Sequence, residues 1–335
     1  MDKKKLIPLF TIMFLFLSAC ILKLFIKDGK FSTQFIYGIL EGKKSSLFIF
    51  FNMRLPSIIA AICCSFLVII STYILQTISK NDLADPSALG YNNVAITVLA
   101  LLFLYIPSTN NLTFSQILFL SAIAVFVFSI FMYNFSKTST DNIDGNILLL
   151  VGIGVNALFH MILTYITTYP HSSKFEILTI LMQGNFDHLE LSTTIKLLSL
   201  TAIVIVLFSI NFETIRILQL GSVIPHSLGV DIKRKNLYLF LIMSFSISVS
   251  IMFGGSFPFI GFTAIHIMKH YYNVNFKLHF FTSVICAGTI IIFSDLAAHQ
   301  FFGIILPTNI FLGIFGGIGF LIILLQRRNK QWQSK

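Results

Sequence analysis

Two pairs of metal-ligating residue types stand four positions apart in the last third of the chain. His266 and His270 form one pair, and Asp295 and His299 form the other. Residues four apart share a face of a helix, so each pair could present two ligands to one cation. Protein metal sites use three or four such ligands. We therefore predict no metal site and no metal cofactor in this chain.

Sequence motifs of the common enzyme classes are absent as well. The sequence has no G-x-x-x-x-G-K-[ST] phosphate loop, no H-E-x-x-H zinc motif and no G-x-S-x-G with triad partners. Its cysteines, Cys20, Cys63, Cys64 and Cys286, lie in apolar stretches without metal-ligand or disulfide spacing. We interpret them as small core residues. An intramembrane enzyme would need a nucleophile with a base, or a metal cluster, and the sequence shows neither.

The elements that must position any functional residue are apolar. Of 335 residues, 56% are hydrophobic and 11% are charged, whereas a soluble domain carries roughly 25% charge. The apolar runs are continuous and lack the alternation of membrane strands. The composition predicts an all-α polytopic membrane protein, with residues 1–335 forming a single transmembrane domain.

Hydrophobic run lengths predict about ten transmembrane helices. The predicted spans are residues 6–26, 57–78, 88–106, 116–135, 146–166, 193–210, 237–253, 258–268, 278–298 and 307–325. The eighth is short, and hydropathy alone leaves it open whether it spans the membrane or is re-entrant. Both ends of the chain are basic, which favours the cytoplasm for both termini. Two termini on one side require an even number of crossings, which favours ten spans over nine.

The N-terminus allows a second interpretation. Three lysines, an apolar run and the sequence Leu17-Ser18-Ala19-Cys20 imitate a lipoprotein signal. The apolar run continues past Cys20 to a spanning length, which favours a first transmembrane helix.

The net charge of +10 comes from basic residues in short loops. With no basic domain and no interleaving of aromatic and basic residues, this pattern predicts membrane orientation and contact with lipid, and no nucleic-acid binding. The first external loop is unusual because it is rich in basic residues: Lys27, Lys30, Lys43, Lys44 and Arg54. It is either an ordinary solvated loop or an electropositive rim for an acidic partner.

Ordered motifs give the chain a family resemblance. Residues 54–57 match R-L-P-R, residues 76–90 match Q-x-x-x-[RK]-N-P-L-A-[DE]-P-x-x-L-G, and residues 152–159 match G-I-[AG]-[VL]-N-A-L-F. Residues 220–230, 255–269 and 295–299 follow three further family patterns. The chain thus resembles the FecCD family of iron-siderophore, haem and cobalamin permeases of type II ABC importers.

The resemblance implies a permease that works with other proteins. These are a cytoplasmic ATP-binding subunit that holds ATP and Mg²⁺, an extracytoplasmic solute-binding lipoprotein and a second permease subunit. The chain itself would need no cofactor and would not be an enzyme. The resemblance also implies a cytoplasmic coupling segment at about residues 215–235 that docks on the ATPase. Its matching residues are Leu220, Gly221, Ser222, Val223, Ile224, Ser227, Leu228, Gly229 and Val230. An ordinary amphipathic surface loop is the alternative.

Docking of the binding protein is implied for the outer rim, which we define as Arg54, Lys43 and Lys44. The chain departs from the family where Ser57 and His299 replace arginines and Ser222-Val223 replaces an acidic pair. A homodimer would carry each loss twice, so we expect a heterodimer with a second permease subunit.

The transport pathway is the least defined part of the sequence. Gly255, Gly261 and His266 are candidates for the pathway or its gate, with simple helix packing as the alternative for the glycines. Asp295 is the one intramembrane charge that we single out, either as a helix cap or as a partner of His299.

Together these features predict a permease of the bacterial cell membrane that imports a ferric siderophore. Haem and cobalamin are the alternative cargoes. An ion-coupled secondary transporter would need buried ionisable groups at mid-membrane and paired broken helices, which the sequence lacks.

Overall fold

The structure, a computed structural model, describes residues 3–27, 30–105, 114–137, 143–168, 186, 189–221, 223–272, 275–298 and 307–333. Within these ranges nearly all residues are helical. The helices are α1 (Lys3–Phe25), α2 (Thr33–Leu40), α3 (Lys44–Ile49), α4 (Leu55–Ser79), α5 (Tyr91–Tyr105), α6 (Phe114–Phe135), α7 (Gly145–Thr168), α8 (Leu191–Ile210), α9 (Phe212–Leu218), α10 (Val223–Ser227), α11 (Ile232–Gly254), α12 (Ile260–Tyr272), α13 (Phe276–Leu296) and α14 (Thr308–Gln333).

Each of the ten predicted spans coincides with one helix, which confirms the predicted fold class. The ten are α1, α4 to α8 and α11 to α14. Among the described residues, six helical stretches are long and apolar enough to cross a membrane. One of them, Lys44–Ser79, is continuous because a π-helical turn at Phe50–Arg54 joins α3 to α4.

Helix α12 is the shortest of the ten, as its sequence predicts. Its 13 residues give a length of about 20 Å, less than the roughly 30 Å of a hydrocarbon core. It begins at Ile260, two residues later than expected, because Phe259 has a left-handed backbone with φ of +58°. An L-residue in that conformation cannot continue a right-handed helix.

The segment between α1 and α4 is more ordered than a solvated loop. Ile26–Lys27 and Lys30–Phe31 pair as a short antiparallel hairpin. Helix α2 follows, and the Ser32 hydroxyl caps it by accepting a hydrogen bond from the Phe35 N–H at 3.3 Å. Sequence hydropathy alone does not resolve such short elements.

Two compact units make up the chain. Unit 1 comprises Met1–Ile69, Gly184–Ser199 and Phe257–Lys335, and unit 2 comprises Ile70–Gln183 and Leu200–Ser256. In unit 1, α13 packs against α1, α12 and α14. In unit 2, α6 packs against α11 and α5, and α5 also packs against α7.

Close helix approaches in unit 1 involve small residues, as the sequence predicts for the glycines of α14. A Cβ at Gly316 would lie 2.4 Å from the Pro258 carbonyl oxygen, and one at Gly319 would lie 2.4 Å from Cγ2 of Thr263. The Thr263 hydroxyl donates to the Gly316 carbonyl at 3.0 Å. These two glycines therefore serve packing between α12 and α14.

Candidate functional site

The coupling segment consists of two short helices separated by a tight turn. Helix α9 follows α8 directly, and Gly221, with φ of +105°, separates α9 from α10. Gly229 ends α10 with φ of +73°, and the Val230 N–H donates to the Pro225 carbonyl at 3.0 Å. A left-handed residue after a helix favours glycine. Two of the matching residues therefore set the path of the chain.

One face of this segment is anchored in unit 2. Ile215, Leu218 and Pro225 are buried. The Gln219 side-chain amide donates to the Thr77 hydroxyl on α4 at 3.2 Å. The segment is thus partly buried and is joined to the end of a long helix by a hydrogen bond.

The other face exposes large apolar side chains. Leu220, Ile224 and Leu228 are 58, 44 and 61% exposed. Ser227 is also exposed, and its hydroxyl donates to the Ile224 carbonyl at 2.9 Å. Ser222 and the side chain of Val223 lie outside the described residues. We call Leu220, Ile224 and Leu228 the apolar strip, and such a strip on a fixed support is typical of a protein contact.

In the outer rim, Arg54 is held by contacts within unit 1, whereas Lys43 and Lys44 are exposed. Arg54 donates a hydrogen bond to the Leu24 carbonyl at the end of α1. Its guanidinium carbon also lies 4.4 Å from the centre of the Phe35 ring on α2. Arg54 therefore joins three elements of unit 1, a structural role that the docking hypothesis did not include.

Lys43 and Lys44 begin α3 and are exposed. The Lys43 ammonium forms an ion pair with the Glu41 carboxylate at 2.8 Å. Both lysines are placed where a partner could reach them, and Glu41 neutralises part of their charge.

The candidate pathway residues are all buried but are not brought together by one contact. Gly255 ends α11 with φ of +75°. Gly261 lies in the first turn of α12. His266 stacks on the Phe262 ring with a centroid distance of 4.2 Å, and its Nδ1 is 3.0 Å from the Phe262 carbonyl oxygen. These contacts describe packing, and the gate assignment stays a prediction.

A buried ion pair in unit 1 was missed by the sequence analysis. The Lys23 ammonium on α1 contacts the Asp295 carboxylate on α13, with side chains 8 and 4% exposed. The Thr308 hydroxyl donates to Asp295 at 3.4 Å, and the Lys23 ammonium lies 5.7 Å from the centre of the Phe186 ring. His299, the partner proposed for Asp295, lies outside the described residues. Two opposite charges inside two predicted spans were the available signal, since buried charges are paired.

Two family motifs meet in unit 2. The Gln76 side-chain amide donates to the Asp82 carbonyl at 2.9 Å and so fixes the polar turn after α4. The Asn156 side chain on α7 accepts from the Asn93 amide at 2.7 Å and donates to the Ala88 carbonyl at 3.3 Å. Gly90, with φ of +86°, approaches α7 so closely that a Cβ would lie 2.8 Å from the Asn156 Cα. Gln76 therefore holds the turn after α4, and Gly90 and Asn156 hold the start of α5 against α7.

The described residues contain no group of three or more His, Cys, Asp or Glu side chains placed to hold a metal ion. Among the cysteines, Cys63, Cys64 and Cys286 are buried. Their burial confirms the interpretation as small core residues, and Cys20 is half-buried on α1.

The ten apolar helices define an all-α integral membrane protein. The sequence profile of the FecCD transport family matches residues 13–326. The chain therefore belongs to the FecCD transport family, as its motifs predict.

Relatives and a solved structure agree with this membership. The chain is 25% identical over 291 residues to the hemin transport system permease protein HmuU of Yersinia pestis, covering 84% of this chain and 85% of the relative. It is 24% identical over 291 residues to the vitamin B12 import system permease protein BtuC of Vibrio cholerae, covering 86% and 84%. A chain of a metal-chelate type ABC transporter, solved in an inward-facing conformation, superposes with a TM-score of 0.77. That match covers 95% of this chain and 98% of the other at 16% identity, so it shows a shared fold.

Proposed function

We propose that this chain is the membrane permease subunit of an ABC importer in a bacterial cell membrane. A separate ATP-binding subunit hydrolyses ATP, and an extracytoplasmic solute-binding lipoprotein delivers the cargo. The apolar strip carries the proposal, because it is exposed on a segment whose opposite face is anchored on α4 in unit 2. On the predicted topology, which has both termini in the cytoplasm, six spans precede this strip, and we infer that it lies on the cytoplasmic side, where an ATPase would bind.

The anchoring suggests how force passes through the segment. Ile215, Leu218 and Pro225 are buried in unit 2, and Gln219 bonds to Thr77 near the end of α4. A partner that binds the apolar strip would therefore move α4 together with the segment, since packed elements transmit displacement with little compliance. A solvated surface loop would need neither the exposed leucines nor the buried anchors.

Crosslinking tests the site of docking. A photo-reactive amino acid at Ile224 or Leu228 should crosslink to the ATPase subunit of the importer. The matched control is Leu40 on α2, which is also a highly exposed apolar side chain but lies on the predicted external side. Crosslinks from Leu40 and none from Ile224 or Leu228 would contradict the proposal.

Substitution of the strip tests its role in transport. The variant Ile224→Asp with Leu228→Asp should keep its melting temperature, because both side chains are exposed, and should lose ATP-driven uptake. An apolar interface loses on the order of 2 kcal/mol or more for each buried charge it must accept. If this variant still takes up cargo, the apolar strip is not where the ATPase is coupled to the permease.

Ferric siderophore is the cargo we favour, and haem or cobalamin is the alternative. The relatives named above carry hemin and vitamin B12 in their names, so family membership leaves the choice of cargo open. Uptake of labelled ferric siderophore, haem and cobalamin into cells expressing the whole importer would identify it. Uptake that persists with a catalytically dead ATPase would favour a secondary transporter instead.

We also propose a heterodimer with a second permease subunit. Of the family arginines on the external side, Arg54 is retained and is partly committed to Leu24 and Phe35, which weakens docking by two identical copies. Expression of this chain with its ATPase and binding protein alone is the test. A stable, transporting assembly with two copies of this chain would refute the heterodimer.

A further inference from the structure

A groove of about 560 Å³ lies at one end of unit 2, where the last residue of α8 meets the first turns of α11. Its walls combine two chemistries. Ile210, Leu237 and Leu241 are apolar, whereas Arg234, Lys235 and Tyr238 carry cationic or hydroxyl groups. This groove is separate from the apolar strip.

The apolar wall lies at the boundary of the membrane. Ile210 ends the apolar helix α8. On α11 the sequence changes from charged and polar at 233–236 to apolar from Leu237 onward. Ile210 and Leu237 are exposed in the groove and are end residues of two predicted spans, so the predicted topology puts this wall level with the first acyl carbons of a lipid.

The cationic wall is held in place beside it. Asp231 caps α11 by accepting a hydrogen bond from the Arg234 N–H at 3.1 Å. Its carboxylate also contacts Nε of the Arg234 guanidinium at 3.2 Å. A guanidinium has five N–H donors, more than one carboxylate contact uses. The Arg234 side chain is 88% exposed and can still bind a second anion.

The balance of charge favours an anion. Arg234 and Lys235 line the groove, and the described residues that line it include no acidic side chain. Arginine matches the paired oxygens of a phosphate, and tyrosine is typical of the interface between lipid and water. A soluble anion would use the cationic wall only, whereas a lipid would use both walls.

We propose that this groove binds an anionic phospholipid, with its phosphate at Arg234 and Lys235 and its first acyl carbons against Ile210, Leu237 and Leu241. On the predicted topology the lipid belongs to the cytoplasmic leaflet. Its phosphate site, Arg234 and Lys235, is formed by the last two residues of the coupling segment, in the first turn of α11. Lipid binding to the isolated permease does not depend on the proposed transport activity.

The test is native mass spectrometry of the purified full-length chain with phosphatidylglycerol, and with phosphatidylcholine as the zwitterionic probe. Phosphatidylglycerol should be retained at one site. The variant Arg234→Gln with Lys235→Gln should weaken its retention about 10-fold or more, as expected for two cationic contacts near a membrane surface. Leu237→Trp should also weaken it, because the larger side chain fills the acyl wall without changing the charge.

The matched control is Lys233→Gln with Lys277→Gln. It removes the same number of charges from exposed positions near helix starts that do not line the groove. Retention should be unchanged in this variant, and inorganic phosphate at constant ionic strength should not displace the lipid. An equal loss in the control variant, equal retention of phosphatidylcholine, displacement by phosphate, or no effect of Leu237→Trp would each overturn the proposal.

Discussion

Each unit has a polar contact between helices: the pair in unit 1 is buried and charged, and the pair in unit 2 is half-buried and neutral. In unit 1, Lys23 and Asp295 form an ion pair between α1 and α13. In unit 2, Asn93 and Asn156 form a neutral amide contact between α5 and α7. A buried charge without a partner is far more costly than a buried amide without one. The two clusters therefore bind helices together by different means, and breaking them should have different consequences.

The largest effect is expected from breaking the ion pair. Asp295→Asn leaves the Lys23 ammonium buried without its carboxylate, which should lower the free energy of unfolding by about 3–5 kcal/mol. The measurement is denaturant unfolding of the purified chain in detergent. Thr308→Val is the matched control, because it removes only the 3.4 Å contact to the same carboxylate.

Removal of both charges distinguishes pairing from simple packing. The double variant Lys23→Met with Asp295→Leu should recover most of the lost stability, since a buried pair is often replaced by apolar residues at little cost. If the double variant is as unstable as Asp295→Asn, the pair is not what couples α1 to α13.

The neutral cluster should show a smaller effect. Asn156→Ala removes its contacts to Asn93 and Ala88 and should lower the free energy of unfolding by about 1–3 kcal/mol. A double-mutant cycle of Asn156→Ala with Asn93→Ala measures the coupling energy between the two side-chain amides. If Asn156→Ala lowers the free energy of unfolding as much as Asp295→Asn does, charge does not explain the difference between the two contacts.

The sequence predicts the helices much better than it predicts these contacts. Ten apolar runs became ten helices, since run length and hydropathy are local properties of the chain. The pairing of Lys23 with Asp295 joins residues 272 positions apart, and no local pattern indicates which helices will be neighbours. The role of Asn156 was hidden for the same reason, although its motif was recognised.

For the candidate sites too, the sequence predicts positions along the chain better than it predicts contacts. Family motifs located the coupling segment, and glycine positions indicated its turns. Which face is anchored depends on Gln219 meeting Thr77, a contact between distant parts of the sequence. Arg54 was recognised by its motif, but its contact to Phe35 depends on helix α2, which hydropathy did not predict.

The exposed charges of the outer rim contrast with the buried ion pair of unit 1. Lys43→Glu with Lys44→Glu should leave stability unchanged and weaken docking of an acidic binding protein by about 1–3 kcal/mol, with greater sensitivity to salt. The affinity of the labelled solute-binding protein for the permease in nanodiscs is the measurement. Arg54→Gln is the contrasting variant, because it should lower the melting temperature as well. Unchanged docking in the Lys43 and Lys44 variant would end the rim hypothesis.

The smallest effect is expected from the exposed pair of Lys43 and Glu41. It joins the same two charge types as Lys23 and Asp295, at 2.8 Å, but both side chains are more than half exposed. Water and salt screen such a pair, so Glu41→Gln should change the free energy of unfolding by less than about 0.5 kcal/mol. The same variant raises the positive potential of the rim and should tighten docking slightly at low salt. A loss of stability comparable to that of Asp295→Asn would mean that ion-pair chemistry, and not burial, makes the pair in unit 1 important.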